Sequence, residues 1–300
     1  MVPVKQVKSG DMVFLNGELV PIEEAKVPVL DRGFIFGDGV YELVPVYSRV
    51  AFRLDEHLAR LERSLGEVKI RNPYSRQRWR EIVYQLVDAQ SYDDQGVYFQ
   101  VTRGVARRDH AFPRDAQPTV FMMANPLVNP PREQVEAGGA AVSAQDNRWL
   151  RCDIKSISLI GNVLLRQISA EAGASETILF RDGKLTEASA SNVFIVKRGV
   201  IVSPPKSSLI LPGITYDVVT ELARANGMPI EFREIPEAEV RAADEIWVTS
   251  SSKEVLAIVS LDGRKIGDGK PGPQFRRMYE LYQEFKRKVM RAGKREALSA

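Results

Sequence analysis

"TILFRDGKLTEASASNVFIVKRGVIVSPP", residues 177–205, is the stretch on which the fold reading turns. Asp182-Gly183 and Arg198-Gly199 each stand between arms rich in aliphatic and β-branched residues. Such a pair predicts a two-residue hairpin turn, because both turn positions need positive φ. Consecutive hairpins make antiparallel strands, not the strand–helix–strand alternation of a parallel sheet. Asn16-Gly17 in "VFLNGELVPI" and Asp262-Gly263 in "VSLDGRKIGDG" repeat the signal. "GVYELVPVY" alternates like a strand, with Pro45 placing it at an edge or bulge. "GVYFQVTRG", "PTVFMMANP" and "EIWVTSSS" read as further strands.

Helical spacing appears between them. Leu54, Leu58, Leu61 and Leu65 recur at helical intervals in "RLDEHLARLERSLGEV", with Asp55 as the candidate N-cap. "SRQRWREIVYQLVDA", "LIGNVLLRQISAEAGA", "ITYDVVTELARANGM" and "PQFRRMYELYQEFKRKVMRAG" read as four more helices. Hairpin strands with interspersed helices predict an α+β fold with two subdomains. "ANPLVNPPREQVEAGG" is rich in Pro, Asn and Gly, which sets an N-terminal α/β subdomain over 1–125, a linker over 126–136 and a C-terminal subdomain over 137–300.

The 300 residues are 44% hydrophobic and 27% charged, with a net charge of +3 and one cysteine, Cys152. That composition is globular, and the charge is too small and too scattered to imply nucleic-acid binding. A single cysteine excludes an internal disulfide and fits a reducing compartment. The opening "MVPVKQVKSGDMVFLNG" has no apolar core of a secretory leader, and no apolar run approaches the ~20 residues of a membrane span. The expectation is a soluble cytoplasmic protein. His57 and His110 are the only histidines, too few for a Cys/His zinc cluster, and no G-x-S-x-G elbow is present. The absence of G-x-G-x-x-G and Walker loops argues against dinucleotide and nucleotide-triphosphate folds.

Local stretches offer candidates, each with an ordinary structural alternative. Lys155, in "RCDIKSISLIGN", is either a solvated lysine or a buried amine able to form an imine with a carbonyl. "LPGITYDVV" (211–219) aims backbone N–H groups from a helix start, suited to phosphate or to a plain cap at Thr215. "VTSSSKE" (248–254) is a hydroxyl cluster or a polar turn. Glu187 could face a cationic ring nitrogen or water. "TRGVARRDHAFP" (102–113) brings Arg103, Arg107, Arg108 and His110 onto one loop, able to clamp a carboxylate or to lie solvated. "DRGFIFGDGVYE" (31–42) carries Tyr41 after a glycine-rich turn. Taken together, these parts suit pyridoxal phosphate and a carboxylate-bearing substrate.

"DRGFIFGDGVYE", "YFQVTRG", "RDHAFP", "RWLRCDIKS", "TEASASNVF" and "ITYDVV" resemble the D-amino acid aminotransferases of the fold-type IV pyridoxal-phosphate enzymes, from about residue 13 to residue 288. The resemblance implies two α/β subdomains with pyridoxal 5'-phosphate between them, the C-terminal one binding the cofactor. It implies that Lys155 is the Schiff-base lysine and Glu187 the partner of the pyridine nitrogen. Arg60, the Ile214 and Thr215 backbone and the Ser251 hydroxyl would hold the phosphate. Leu211 would pack on the ring, and Arg148 would approach its phenolic oxygen. Tyr41, Arg108 and His110 would trap the substrate carboxylate, with Arg108 and His110 arriving from the neighbouring subunit of a homodimer with shared active sites. The implied reaction is ping-pong transfer of an amino group between a D-amino acid of D-alanine type and 2-oxoglutarate or pyruvate. Branched-chain L-amino acid aminotransferase, (R)-selective amine transaminase and aminodeoxychorismate lyase share the fold, and a non-catalytic dimeric binding protein is the rival of another class. Phe34 stands where some relatives carry tyrosine, and Pro45 where lysine is common; both bear on substrate range.

Overall fold

Asn16 and Gly17 have φ of 50° and 116°, and they join β1 (Met12–Leu15) to β2 (Glu18–Pro21) with Leu15 opposite Glu18. The hairpin is the one its sequence predicts. It belongs to a computed structural model that describes residues 11–295. The first ten residues, on which much of the leader argument rests, lie outside the described residues. The chain divides into two units, one built on residues up to Leu127 and the other starting at Val128.

The first unit continues with α1 (Arg32–Phe36), β3 (Gly39–Tyr47), β4 (Val50–Ala51), α2 (Leu54–Glu67), α3 (Arg76–Ala89), β5 (Gln95–Thr102) and β6 (Thr119–Pro126). Its six strands run antiparallel in the order β2-β1-β6-β5-β3-β4. Leu58, Leu61 and Leu65 of α2 and Trp79, Ile82 and Leu86 of α3 are fully buried, and Trp79 stacks on Phe99 of β5 at 5.4 Å. Each such side chain contributes roughly 1.5–3 kcal/mol by leaving water. Asp55 is not the cap of α2. Arg53 holds that position in a left-handed conformation, and Asp55 sits in the first turn, where its charge still favours the helix N-terminus.

Two features of this unit were not predicted. Ser48 and Arg49 join β3 to β4 with φ of 49° and 65°, without any glycine. Bonds to Arg49 offset the strain: its N–H donates to Asp93 O at 2.8 Å, and its guanidinium donates to Val87 O, Gln90 O and Tyr92 O. Second, Lys155–Ser158 belongs to this unit. Tyr41 N donates to Lys155 O at 2.9 Å, Ile157 N donates to Gly39 O at 3.1 Å, and Ser156 bridges Val40. Assigning all of 137–300 to the C-terminal subdomain is corrected here, because backbone pairing to β3 outweighs sequence proximity. Residues 291–295 also depart from it. Arg291 and Arg295 pair with Asp94 and Asp88 of the first unit. The expected linker shrinks as well, since Pro126 still belongs to β6 and a short helix begins at Arg132.

The second unit comprises α4 (Arg132–Ala137), β7 (Gly139–Gln145), α5 (Ile160–Glu171), β8 (Glu176–Arg181), β9 (Lys184–Ala188), β10 (Asn192–Lys197), β11 (Val200–Ser203), α6 (Ile214–Ala225), β12 (Ile230–Phe232), α7 (Glu237–Arg241), β13 (Glu245–Ser250), β14 (Glu254–Leu261), β15 (Arg264–Lys265) and α8 (Pro273–Phe285). Nine strands form one mixed sheet in the order β12-β11-β10-β13-β14-β7-β8-β9, with β15 beside β14. The predicted hairpins at Asp182-Gly183, Arg198-Gly199 and Asp262-Gly263 all form. Strands β11–β12, β14–β7 and β7–β8 pair in parallel, which the hairpin signals did not reveal. The last predicted helix gives way to a π-helical turn, Lys286–Met290, where Lys286 Nζ reaches the buried Glu254 at 2.6 Å. Among the described residues no helix is long and apolar enough to cross a membrane, and no cluster of three metal-ligating side chains occurs.

Within the first unit, Asp38 fastens the 105–118 loop. Its carboxylate accepts from Arg32 Nε at 2.8 Å and from Arg103 Nε and Nη2 at 2.7 and 2.9 Å. Burial would raise the Asp38 carboxyl, but the two arginines outweigh it and hold it below its ordinary value. Arg32, itself buried, also donates to the Asp109 and Ala111 carbonyls, and the Arg103 guanidinium lies 3.7 Å over the Phe112 ring. Asp38→Ala would leave two buried guanidinium groups without their carboxylate. The expected loss is about 3–5 kcal/mol in urea unfolding, with faster proteolysis in the 105–118 loop. An unchanged midpoint would remove Asp38 from this role.

Candidate active site

The first unit brings together Tyr41, Arg60 and Lys155. Residues 155–157 lie along β3, so the Lys155 amine sits 4.1 Å from the centroid of the Tyr41 ring. Lys155 is half-buried, between the solvated and the buried reading that its sequence left open. Tyr41 in turn packs on Tyr98 at 5.5 Å, and Tyr98 donates to Gln100 Oε1. Burial pushes the Tyr98 phenol up to about 12. Arg60, on the inner side of α2, gives Nε and Nη2 to Glu42 at 2.7 and 2.8 Å. Arg108 and His110 are exposed, and both lie against Phe36: the Arg108 guanidinium is 5.4 Å from its centroid and the His110 ring 5.4 Å. Phe34, three-quarters exposed, lies on α1 and not on the strand bearing Tyr41.

The second unit brings together Arg148, Glu187, Leu211, Ile214 and Thr215. Glu187, near the end of β9, is buried. Its Oε1 accepts from Arg148 Nη1 at 2.5 Å. Its Oε2 accepts from Leu211 N at 3.0 Å and from Asn192 Nδ2 at 3.2 Å. Asn192 also donates to Leu211 O at 2.9 Å, so one amide ties the carboxylate to the "LPGIT" loop. That packing is why residue 213 is glycine: a Cβ there would lie 2.2 Å from Asn192 Oδ1. Gly213, not Thr215, is the N-cap of α6, and no side chain caps the helix. Its first turn therefore offers N–H groups to an anion. Ser251 is half-buried in the turn after β13. Beside it, Thr249 has a buried hydroxyl without a hydrogen-bond partner and pairs opposite Asn192.

Arg148 points at a carboxylate. Asp146 accepts from its Nε and Nη2, both at 2.9 Å, and from its backbone N–H, while Thr186 Oγ1 donates to the same carboxylate. Burial works against the Arg148 charge, yet the bond to Asp146 and the nearby Glu187 charge hold its pKa above the ordinary value. Cys152 donates Sγ to Trp149 O, and burial pushes its thiol up to about 11. This is an unreactive cysteine.

Glu42, His57, Asp146, Asn192, Glu176 and Lys253 escaped the sequence reading as site residues. Glu176 is fully buried and accepts from Lys253 Nζ at 2.5 Å, from Ser191 Oγ at 2.8 Å and from Ser189 Oγ. The bond to Lys253 anchors the hydroxyl turn. A signal existed for Asp146 and Asn192, which lie beside and within the quoted motifs. Glu42 and His57 also lie within quoted stretches, but only the three-dimensional pairing of α2 with β3 shows that they meet.

The family described as Amino-transferase class IV matches residues 39–261. The chain is 43% identical over 261 residues to a D-alanine aminotransferase of Bacillus licheniformis, covering 87% of this chain and 92% of that protein. It is 38% identical to one from Staphylococcus aureus (strain MW2), covering 92% and 98%. Among solved structures, the branched-chain aminotransferase of the thermophilic archaeon Thermoproteus uzoniensis, with norvaline, is similar at a TM-score of 0.84 and 29% identity, covering 91% of this chain and 94% of that one.

Burial pushes the Glu187 carboxyl up to about 7, against the pull of Arg148. In the unfolded chain the group titrates at its ordinary value of 4.5. Between those values the folded, cofactor-free protein holds the extra proton. The group's stabilisation is full below the ordinary value and is lost as pH rises toward 7. The unfolding free energy of the parent minus that of Glu187→Gln should fall by about 2 kcal/mol between about pH 5 and about pH 7. A flat difference in denaturant titrations would show that the proton is not on Glu187.

Proposed function

The chain belongs to the class IV amino-transferases, and from that premise we propose that it moves an amino group between a D-amino acid of D-alanine type and a 2-oxo acid, with pyridoxal 5'-phosphate as cofactor. The observation that carries the chemistry is Lys155, an amine fixed by its own backbone on β3 and set against the Tyr41 ring. The D-preference is supported by the relatives named D-alanine aminotransferase, at 37–43% identity.

The residues present fit the cofactor. In the second unit the uncapped N-terminus of α6, the unpartnered Thr249 hydroxyl and Ser251 suit a phosphate, and in the first unit Arg60 does. The buried Glu187 suits a protonated ring nitrogen, and the side chain of Leu211 suits a ring face. Pyridoxal phosphate supplies an aldehyde that combines with amines and a ring that accepts the electron pair left at Cα. The chain supplies the rest. Lys155 would hold the aldehyde carbon, and its amine, when free, would act as the base and acid that moves the proton at the substrate Cα. Glu187 favours a proton on the ring nitrogen, and Arg148 steadies Glu187. Tyr41, Arg108 and His110 hold the substrate carboxylate.

Arg108 and His110 serve a second copy of the chain in this reading, which makes the working form a homodimer. Two exposed apolar groups support it: Val29, Leu30, Phe34, Val105 and Phe112 in the first unit, and Ile160, Val163, Leu164 and Ile168 in the second. The compartment proposed is the cytoplasm, in keeping with a single free thiol.

Lys155→Ala should lower transamination by at least roughly 100-fold and abolish the visible absorbance of the bound cofactor. An unchanged spectrum would exclude Lys155 as the imine lysine. Arg108→Ala should raise KM for D-alanine by about tenfold or more, the loss of a charged hydrogen bond of about 1.5–3 kcal/mol. A parental KM would remove Arg108 from the carboxylate site. A panel of amino acids in both enantiomers, with 2-oxoglutarate or pyruvate as acceptor, should show turnover of the D-forms. Rapid use of L-leucine would favour the branched-chain reading, and turnover of amines lacking a carboxylate the amine-transaminase reading.

A further inference from the structure

His57 and Arg60 stand three residues apart on α2, on the side that faces β3. Between them lies Glu42, the residue after Tyr41. Glu42 and His57 have no exposed surface, and Arg60 is 9% exposed. Arg60 Nε bonds Glu42 Oε1 and Arg60 Nη2 bonds Glu42 Oε2, a parallel fork. His57 Nδ1 adds a third contact, to Oε2 at 2.8 Å. Burial would raise the Glu42 carboxyl, but Arg60 and His57 outweigh it and hold it far below its ordinary value. Burial lowers His57, as do the charges of Arg60 and Lys155, against the pull of Glu42. A neutral imidazole facing a carboxylate places its one proton on Nδ1. Nε2 is then left as a bare acceptor, and it is buried with no hydrogen-bond partner.

That orphan nitrogen is informative. Leaving a buried polar atom unpaired costs about 1–3 kcal/mol, which a leucine in this helix would avoid. The other ring nitrogen must give something in return. The terminal torsion of a glutamate is soft and broad. Two contacts to one guanidinium align Glu42 with Arg60 but let both swing together. A third donor, from a different residue, fixes the carboxylate plane and with it the direction of the Arg60 fork.

We propose that His57 is a positioning residue for Arg60, acting through Glu42, so that its loss weakens binding at the phosphate end of the cofactor and spares the rest. This rests on the reading of Arg60 as the phosphate arginine. The test uses the full chain stripped of cofactor and measures equilibrium binding, by fluorescence quenching, of pyridoxal 5'-phosphate and of pyridoxal. Both carry the aldehyde, so the contribution of Lys155 cancels in the ratio of their affinities. Arg60→Ala should weaken pyridoxal phosphate selectively. His57→Leu should weaken it by about tenfold, or 1.4 kcal/mol, and leave pyridoxal within about twofold. His57→Asn, whose amide can donate from nearly the place of Nδ1, should stay within about threefold of the parent. If Arg60→Ala is selective while His57→Leu weakens both ligands alike, or neither, the proposal is overturned. If Arg60→Ala itself shows no selectivity, the phosphate reading of Arg60 fails, and the proposal falls with it. Should His57→Leu not fold, Glu42→Gln keeps the shape of the carboxylate and decides: selective loss of the phosphorylated ligand supports the proposal, and equal loss of both overturns it.

Discussion

The hydrogen bond from Tyr41 N to Lys155 O is the constraint on which the rest depends. On β3 the odd-numbered residues turn their backbone groups away from β5: Gly39 O and Tyr41 N toward residues 155–157, and Pro45 O toward Phe52 N. The N–H and C=O of one strand residue point to the same side, so the donor that Pro45 lacks is missing from this side too. The ladder to β5 is therefore unbroken, and the open side is shared between a short strand and a strap from far along the chain. With the Lys155 carbonyl held there, its amine lies over the Tyr41 ring.

Around these residues the buried charges come in closed sets. Asp38 holds Arg32 and Arg103; Glu42 holds Arg60 and His57; Asp146 holds Arg148 and Arg181; Glu176 holds Lys253. Taken as whole sets such pairs add little to stability, because desolvation offsets attraction, but breaking one costs about 3–5 kcal/mol. Their effect is on geometry. Each set fixes the direction of its guanidinium or ammonium groups within the folded chain.

What the sequence disclosed, and what it hid, divides along physical lines. The Asn16-Gly17, Asp182-Gly183, Arg198-Gly199 and Asp262-Gly263 hairpins were legible because glycine marks positive φ directly. The helices were legible from apolar spacing, and α+β followed. Ser48-Arg49 was illegible because its left-handed turn is stabilised by bonds from Arg49 to the end of α3, which no local pattern encodes. The strap at 155–157 was illegible for a similar reason, since backbone pairing carries no residue signature. Lys155 and Glu187 were singled out through the motifs around them. Glu42 and His57 became visible only when α2 was laid against β3, because a glutamate in a strand and a histidine in a helix look ordinary until they meet.

The first unit is not one continuous run of the gene, since it recovers Lys155–Ser158 early in the second and residues 291–295 after its end. Expressed alone to residue 127, it would leave Gly39–Tyr41 with bare backbone groups on its outer side, a template for pairing with foreign strands. Exchange of halves between related genes at that boundary would take Lys155 from one parent and its β3 seat from the other. The joint between them is made by main-chain atoms, which are the same in every residue but proline. Such chimeras would thus keep their lysine in place even where the surrounding side chains have diverged, so the two halves can drift in sequence without losing the seat of Lys155.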